Sequence, residues 1–316
     1  MKGPLFYSKI LLFGEYGIIK DSKGLSIPYN FYKGALKLLD KDSLSDNAFQ
    51  IAKASNKSLE KFTTYLQEIE PQDMVRFDME RLQHDIAAGM YFDSSIPQGY
   101  GVGSSGALVA AIYDKYAFDK ITVLENLTRE KLLQLKAIFG LMESFFHGNS
   151  SGLDPLNSYL SLPILINSKE NIEPAGIPSQ STDGKGAVFL LDSGIVGETA
   201  PMVHIFMENM KQEGFRNMLK EQFVKHTDAC VDDFLKGDVK SLFKNIKSLS
   251  GVVLDNFKPM IPKQFHALWK KGIDTNAYYL KLCGSGGGGY ILGFTEDLER
   301  AQNSLKDYKL EVVYNF

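Results

Sequence analysis

The sequence is poor in the features that mark secreted, membrane-spanning or nucleic-acid-binding proteins. Only two cysteines, Cys230 and Cys283, occur among 316 residues. This argues against a disulfide framework and favours a reducing, cytoplasmic setting. No apolar run approaches the ~20 residues that a helix needs to cross a bilayer, so we expect no membrane partner. The net charge of −3 lacks the basic excess typical of nucleic-acid binding, and we expect no nucleic-acid partner.

The N-terminal apolar stretch is a poor match to a secretory signal, because Lys9, Glu15 and glycines interrupt it. The whole chain is 44% hydrophobic and 23% charged, as in ordinary globular proteins. Its length suits two lobes better than one core. The stretch "KENIEPAGIPSQSTDGKG" is rich in proline, glycine and serine, and it marks the expected boundary. We therefore predict domains over residues 1–182 and 183–316.

Helical and strand patterns alternate in both halves, which predicts an α+β fold. In the first half, we expect a strand, turn and strand in "KILLFGEYGII", a strand and helix with loops over 40–70, and helices over 78–91 and from Ser105. Thr128 is expected to cap a further helix with the apolar face Leu132, Leu135, Phe139 and Met142. In the second half, we expect strands over 158–167 and 187–194, helices over 201–211 and 214–235, and a strand, glycine turn and strand over 278–294.

A small-residue loop, "IPQGYGVGSSGAL", leads into one of these helices. Backbone N–H groups near the positive end of a helix dipole suit a phosphate, and nearby serine hydroxyls can reach a metal held by it. No Walker-type P-loop occurs. Residues 101–106 and 284–289 both fit G-x-G-x-x-G, but Pro97 stands where a dinucleotide fold needs a strand, and the second match leads into a strand. This disfavours a nicotinamide-dependent oxidoreductase. A tight turn explains either loop alone equally well.

Two carboxylates, Glu143 and Asp154, stand eleven residues apart in "ESFFHGNSSGLDP". Gly148 and Gly152 allow the chain to reverse between them, so both side chains could face one pocket. One carboxylate could then hold Mg²⁺ and the other accept a proton from a hydroxyl. Taken singly, each reads as a solvated surface group. His147 alone reads as a structural hydrogen-bonding residue, and no spacing of histidines or cysteines indicates zinc.

Four segments together resemble one family. "SKILLFGEYGII", "IPQGYGVGSSGAL" and "KLCGSGGGGY" resemble the first, second and third motifs of the GHMP kinase superfamily, in that order. "HGNSSGLD" is similar to the pattern His-Gly-x-x-Ser-Gly-x-Asp of the mevalonate kinases within it. The resemblance implies a two-lobed fold, with an N-terminal lobe like ribosomal S5 domain 2 and a ferredoxin-like C-terminal lobe. It also implies ATP-dependent phosphorylation of a small molecule, (R)-mevalonate, with Mg²⁺.

The resemblance implies a role for each matching residue. Asp154 would be the catalytic carboxylate with Lys9 beside it, and Glu143 and Ser105 would bind Mg²⁺. The nucleotide would be bound by Pro97, Gly99, Gly101, Gly103, Ser104, Ser105, Gly106, Ala107, Gly284, Ser285, Gly286 and Gly287. The acceptor would contact Glu15, Tyr16, His147 and Thr199.

Several positions depart from the family pattern. Phe6, Tyr7 and Ser8 replace the Ala-Pro-Gly that usually opens the first motif. Tyr16 replaces a histidine, Gly106 replaces the alanine that closes the second motif, and Ala200 replaces a lysine that often follows the threonine. Two other functions stay open: a GHMP kinase acting on phosphomevalonate or a sugar, and a non-catalytic relative that binds nucleotide. The sequence does not determine the oligomeric state, and a homodimer is one possibility that it allows.

Overall fold

The computed structural model describes residues 4–41, 44–69, 74–123 and 127–316. These residues form two compact units that are interleaved along the chain. The first unit contains the described residues up to Lys9 together with Pro28–Pro97 and Gly103–Leu162. The second contains Ile10–Ile27, Gln98–Val102 and Pro163–Phe316. The domain boundary expected after residue 182 stays a prediction.

The neighbouring strands β1 (Phe6–Phe13) and β2 (Gly24–Leu38) each contribute residues to both units. In the first unit, the end of β2 pairs antiparallel with β3 (Met90–Ser94), from Gly34 opposite Ser94 to Leu38 opposite Met90. The described residues of this unit also form five helices: α1 (Asp46–Ile69), α2 (Met79–Ala87), α3 (Ser104–Tyr116), α4 (Arg129–His147) and α5 (Leu153–Leu160).

Local sequence signals account for the helix that carries Glu143. Thr128 adopts an extended conformation and its side chain accepts a hydrogen bond from the backbone N–H of Lys131, which satisfies one of the free donors of the first turn of α4. The predicted apolar face is buried, as Leu132, Leu135, Phe139 and Met142 are all at most 1% exposed. The cap and the face predicted from the sequence are thus confirmed.

The second unit contains a four-stranded antiparallel sheet in the order β7-β8-β6-β9. Its strands are β6 (Ala187–Asp192), β7 (Tyr279–Leu282), β8 (Tyr290–Thr295) and β9 (Leu310–Asn315). β6 begins with five apolar residues that are fully buried, as expected for a central strand. The start of β2 pairs with β4 (Ile164–Ser168), which pairs with β5 (Asn171–Pro174).

The helices of the second unit follow β6 and flank β7 and β8 along the chain. They are α6 (Thr199–Asn209), α7 (Glu213–Met218), α8 (Lys225–Lys236), α9 (Val239–Asn256), α10 (His266–Thr275) and α11 (Leu298–Ser304). A π-helical segment, Leu219–Val224, joins α7 to α8 without a break. The predicted helices over 201–211 and 214–235 are confirmed, as is the predicted strand, glycine turn and strand.

Four of the sequence predictions are wrong in detail. The second strand in "KILLFGEYGII" is instead a 3₁₀ helix, Gly17–Lys20, because Gly14 and Tyr16 have positive φ and turn the chain. Residues 40–70 contain α1 but no strand among the described residues. The helix expected over 78–91 ends at Ala87, since β3 begins three residues later. The strand expected from residue 158 begins only at Ile164, because α5 continues to Leu160.

Candidate functional site

The second-motif loop has the backbone that its glycines suggest. Gly99, Gly101 and Gly103 have φ of 75°, 78° and 82°, in the left-handed region that glycine adopts without strain. Gly103 is the N-cap of α3, so the first turn of this helix presents N–H groups without intrahelical partners. Ser104 and Ser105 are partly exposed in that turn. An arrangement of this kind suits a bound anion, and the phosphate-binding role of the loop stays a prediction.

Lys9 and Asp154 form an ion pair within the first unit. The Lys9 Nζ lies 2.9 Å from the Asp154 Oδ1. The lysine side chain is 5% exposed, whereas that of Asp154 is 37% exposed, so the carboxylate can still be reached by a small molecule. Lys9 extends from β1, and Asp154 lies in the first turn of α5. The two residues therefore lie beside each other as predicted, and their catalytic roles stay predictions.

Gly103 and Gly106 bring the second motif against this ion pair. A Cβ atom at Gly103 would lie 3.0 Å from the Cγ of Lys9. A Cβ atom at Gly106 would lie 2.7 Å from the carbonyl carbon of Asp154, inside the backbone of α5. The close approach of α3 to α5 thus explains why glycine, rather than the alanine of the family pattern, closes the motif.

Glu143 is a buried carboxylate held by two serines. It lies on α4 and is 3% exposed. Ser105 donates a hydrogen bond to its Oε1 at 2.9 Å, and Ser150 donates one to its Oε2 at 2.5 Å. Burial, followed by the nearby charge of Asp154, raises the pKa of Glu143 to about 7, although both serines and Lys9 act in the opposite direction. His147 Nε2 lies 3.0 Å from the Ser105 Oγ.

Ser150 is a member of this cluster that the sequence reasoning missed. Nothing in "HGNSSGLD" separates Ser150 from Ser151, whose Oγ accepts a hydrogen bond from the N–H of Leu153. The Ser150 Oγ also accepts a hydrogen bond from the N–H of Gly152 at 3.1 Å, which fixes the direction of its own hydroxyl. Ser150 therefore orients the second oxygen of Glu143.

Replacing Ser150 with alanine is expected to weaken divalent metal binding by roughly 10- to 100-fold, the usual effect of losing a residue that orients a metal ligand. The affinity for Mn²⁺ in the presence of ADP, measured by electron paramagnetic resonance, checks this. Ser150→Thr keeps the hydroxyl and should restore most of the affinity. An alanine variant that binds Mn²⁺ as tightly as the wild type would limit Ser150 to a structural role.

The residues present fit a magnesium ion that is shared with a nucleotide. The described part of the chain contains no cluster of three or more histidine, cysteine or acidic side chains that could hold a metal. Mg²⁺ usually takes one or two carboxylates and completes its coordination with phosphates and water. Glu143 and Ser105 supply one buried carboxylate and one hydroxyl, which is the oxygen donor set that such a site requires.

In the second unit, the second and third motifs contact one another. A Cβ atom at Gly101 would lie 2.6 Å from the carbonyl oxygen of Cys283, and a Cβ atom at Gly289 would lie 2.5 Å from the Cα of Tyr100. Gly284, Gly286 and Gly287 have φ between 67° and 79°. The glycines of both motifs are thus needed for close backbone contact as well as for turning the chain.

Three of the four residues that the resemblance assigns to the acceptor lie in the second unit. Glu15 and Tyr16 are only 6% and 8% exposed. Thr199 is exposed, and its Oγ1 accepts a hydrogen bond from the Oγ of Ser285 at 3.3 Å. The fourth, His147, lies beside Ser105 in the first unit. Their roles toward an acceptor stay predictions.

The structure therefore gathers the predicted site residues into two sets. The first unit holds Lys9, Pro97, Gly103, Ser104, Ser105, Gly106, Ala107, Glu143, His147 and Asp154. The second holds Glu15, Tyr16, Gly99, Gly101, Thr199, Gly284, Ser285, Gly286 and Gly287.

None of the described helices is long and apolar enough to cross a membrane.

Comparison with known proteins identifies the class of this fold. Residues 71–161 match the family model of the GHMP kinases N terminal domain. A search of curated protein sequences finds no significant match. The motif-based resemblance to the GHMP kinase superfamily is confirmed by the family match, and the chain has the predicted two-lobed α+β GHMP kinase fold.

Solved structures of particular kinases align over nearly the whole chain. Mevalonate kinase of L. major, in complex with R-mevalonate, is 17% identical with a TM-score of 0.62, covering 97% of this chain and 93% of that one. Mevalonate kinase of Methanococcus jannaschii is 18% identical with a TM-score of 0.59, covering 99% and 98%. Phosphomevalonate kinase of Streptococcus pneumoniae, in complex with phosphomevalonate and AMPPNP, is 13% identical with a TM-score of 0.60, covering 98% of each.

Proposed function

We propose that the protein is an ATP-dependent kinase that transfers the γ-phosphoryl group to the hydroxyl of a small molecule, with (R)-mevalonate as the acceptor. The observation that carries this proposal is the Lys9–Asp154 ion pair beside Gly103, at the start of α3. An anion-binding helix terminus and a carboxylate within reach of solvent are the two parts that phosphoryl transfer to an alcohol needs.

In the proposed reaction, the acceptor oxygen forms a bond to the γ-phosphorus while the bond from that phosphorus to the bridging oxygen breaks, releasing ADP. The hydroxyl proton goes to the Asp154 carboxylate. Lys9, already charged and within 2.9 Å of Asp154, stabilises the developing alkoxide. The N–H groups of the first turn of α3 bind the phosphates and orient the γ-phosphoryl group.

Glu143 and Ser105 are the residues that would hold Mg²⁺. A bound Mg²⁺ neutralises phosphate charge during the transfer. Glu143 suits this role because its buried carboxylate accepts hydrogen bonds from the neutral hydroxyls of Ser105 and Ser150. Burial of a carboxylate is costly unless a counter-charge is supplied, and a cation supplies it.

The choice of mevalonate as the acceptor is supported by the segment "HGNSSGLD" and by the spacing of Glu143 and Asp154. Phosphomevalonate is the second candidate, because the phosphomevalonate kinase of S. pneumoniae aligns with this chain about as well as the mevalonate kinases do. An acceptor that already carries a phosphate needs further basic groups, and those would have to lie outside the Lys9–Asp154 pair.

ADP release measured with mevalonate, phosphomevalonate, homoserine and galactose tests the proposal. Mevalonate is expected to give by far the largest kcat/KM. A clear preference for phosphomevalonate or galactose would leave a GHMP kinase of different specificity. ATP binding without turnover on any of the four, in preparations that are folded, would instead favour the non-catalytic relative.

A further inference from the structure

The third glycine motif is a loop that needs contacts from elsewhere to keep its shape. Four of its glycines have φ between 67° and 79°, in the left-handed region (Gly284, Gly286, Gly287 and Gly289). Glycine loses more conformational freedom on folding than any other residue, so a glycine-rich loop has little intrinsic preference for one geometry. The contacts that hold this loop therefore determine how well its N–H groups are placed.

Tyr16 supplies one of these contacts from the first motif. Its hydroxyl donates a hydrogen bond to the carbonyl oxygen of Ser285 at 2.7 Å, across 269 residues of sequence. Its ring stacks on Phe206, with centroids 4.6 Å apart and planes at 29°, and lies 6.2 Å from the ring of Phe257. The side chain is thus covered by aromatic rings and tied at its tip to the loop.

The backbone at Tyr16 indicates that this placement is maintained at a cost. Its φ of 59° and ψ of −35° are uncommon for a residue other than glycine. Such conformations persist where the surrounding structure enforces them, and they occur often at functional sites. Burial and the charge of Glu15 raise the pKa of Tyr16 far above its usual value, so the hydroxyl keeps its proton and remains a donor.

The neighbouring Glu15 attaches the same turn to β7. The Lys281 Nζ lies 2.5 Å from the Glu15 Oε1, and both side chains are at most 5% exposed. The same ammonium group also donates to the carbonyl oxygen of Leu282 at 2.9 Å. Lys281 is four residues before Ser285. The first motif therefore contacts the third at two points: Glu15 pairs with Lys281 in the strand that enters the loop, and Tyr16 bonds to Ser285 in the loop itself.

We propose that Tyr16 is a positioning residue that holds the third glycine loop in its nucleotide-binding geometry, in place of the acceptor contact that the family resemblance implies for this position. Its hydroxyl proton is committed to Ser285, and its ring is buried. This inference rests on the proposed function in one respect, namely that the loop binds nucleotide.

The Tyr16→Phe variant tests this role, because it removes the hydroxyl and keeps the ring. Losing one buried hydrogen bond is expected to weaken ADP binding by roughly two- to tenfold, measured by calorimetry with Mg²⁺ present. Hydrogen exchange of amides in residues 284–289 should accelerate by a similar factor. The KM for mevalonate should stay within about twofold of wild type, since the loss acts on the nucleotide.

Tyr278→Phe is the matched control. The Tyr278 hydroxyl also donates to a backbone carbonyl, that of Leu268 at 2.9 Å, and its side chain is fully buried. This variant loses a hydrogen bond of the same kind away from the glycine loop. Its loss of thermal stability should be similar to that of Tyr16→Phe. Its ADP affinity and the hydrogen exchange of residues 284–289 should not change.

Two results would overturn the proposal. A raised KM for mevalonate with unchanged ADP affinity and loop exchange would make Tyr16 an acceptor contact. Unchanged values for all three measurements would show that the hydrogen bond positions nothing. Because ADP binding and exchange need no acceptor, an effect of Tyr16→Phe on both, in a protein that phosphorylates no acceptor of the panel, would refute the proposed reaction and retain the positioning role.

Discussion

Replacing Asp154 with asparagine is expected to lower turnover by about 10²–10⁴, the usual contribution of a general base, while ATP affinity and the melting temperature stay close to wild type. Asparagine has nearly the same shape and keeps an oxygen that can accept a hydrogen bond from Lys9. It removes the proton acceptor and the negative charge that lies 2.9 Å from the lysine ammonium. Single-turnover and steady-state rates with mevalonate, alongside ATP titration, check this.

Asp93 offers a control for the loss of an aspartate charge in the same unit. It forms an ion pair with Lys37 at 2.6 Å, and both side chains are about half exposed. Exposed pairs of this kind contribute little to stability. Asp93→Asn should therefore leave both turnover and the melting temperature unchanged. Near-normal turnover in Asp154→Asn would remove Asp154 from the mechanism.

The ion pair also makes a prediction about coupling. Lys9→Met should slow the same chemical step, because the lysine acts on the hydroxyl that Asp154 deprotonates. The double variant should then lose much less than the product of the two single losses, as happens for residues that act as a unit. Losses that multiply would mean that the two residues act independently.

Local signals predicted much of the fold and part of the site. The cap at Thr128, the apolar face of α4 and the strand, turn and strand around the third motif depend on residues within a few positions of one another. The conformation of the second-motif loop before α3 also depends on local sequence, because glycines and serines next to the start of a helix determine its backbone. Periodicity and turn chemistry are sufficient for features of this kind.

Contacts between distant segments could not be predicted from single-sequence patterns. Tyr16 meets Ser285 across 269 positions, and its positive φ replaces an expected strand by a 3₁₀ helix. Ser150 is set apart from Ser151 only by the direction in which its hydroxyl points. Gly106 is a departure from the motif in sequence terms, and only the packing of α3 against α5 explains it.

Gly103→Val is expected to lower turnover by about 10² and to weaken ATP binding, because the new side chain displaces Lys9. A Cβ at this position would already lie 3.0 Å from the Cγ and 3.2 Å from the Cε of Lys9, and valine adds two further methyl groups. Lys9 has little room to yield, as its side chain is 5% exposed and its ammonium is held by Asp154. A φ of 82° also strains any residue with a β-branched side chain.

Gly237→Val is the control for Gly103→Val, because it introduces the same kind of backbone strain at a position away from Lys9. Gly237 has a φ of 70° at the end of α8, and a Cβ there would meet only the Cγ of Pro178 at 3.9 Å, an ordinary contact. Gly237→Val should therefore lose about 1–2 kcal/mol of stability from backbone strain in urea unfolding, and Gly103→Val should lose at least as much. Only Gly103→Val should lose turnover and ATP affinity among the molecules that remain folded. If both variants kept wild-type kinetics, Gly103 would be a turn residue alone. In that case α3 would not approach the phosphates through this glycine.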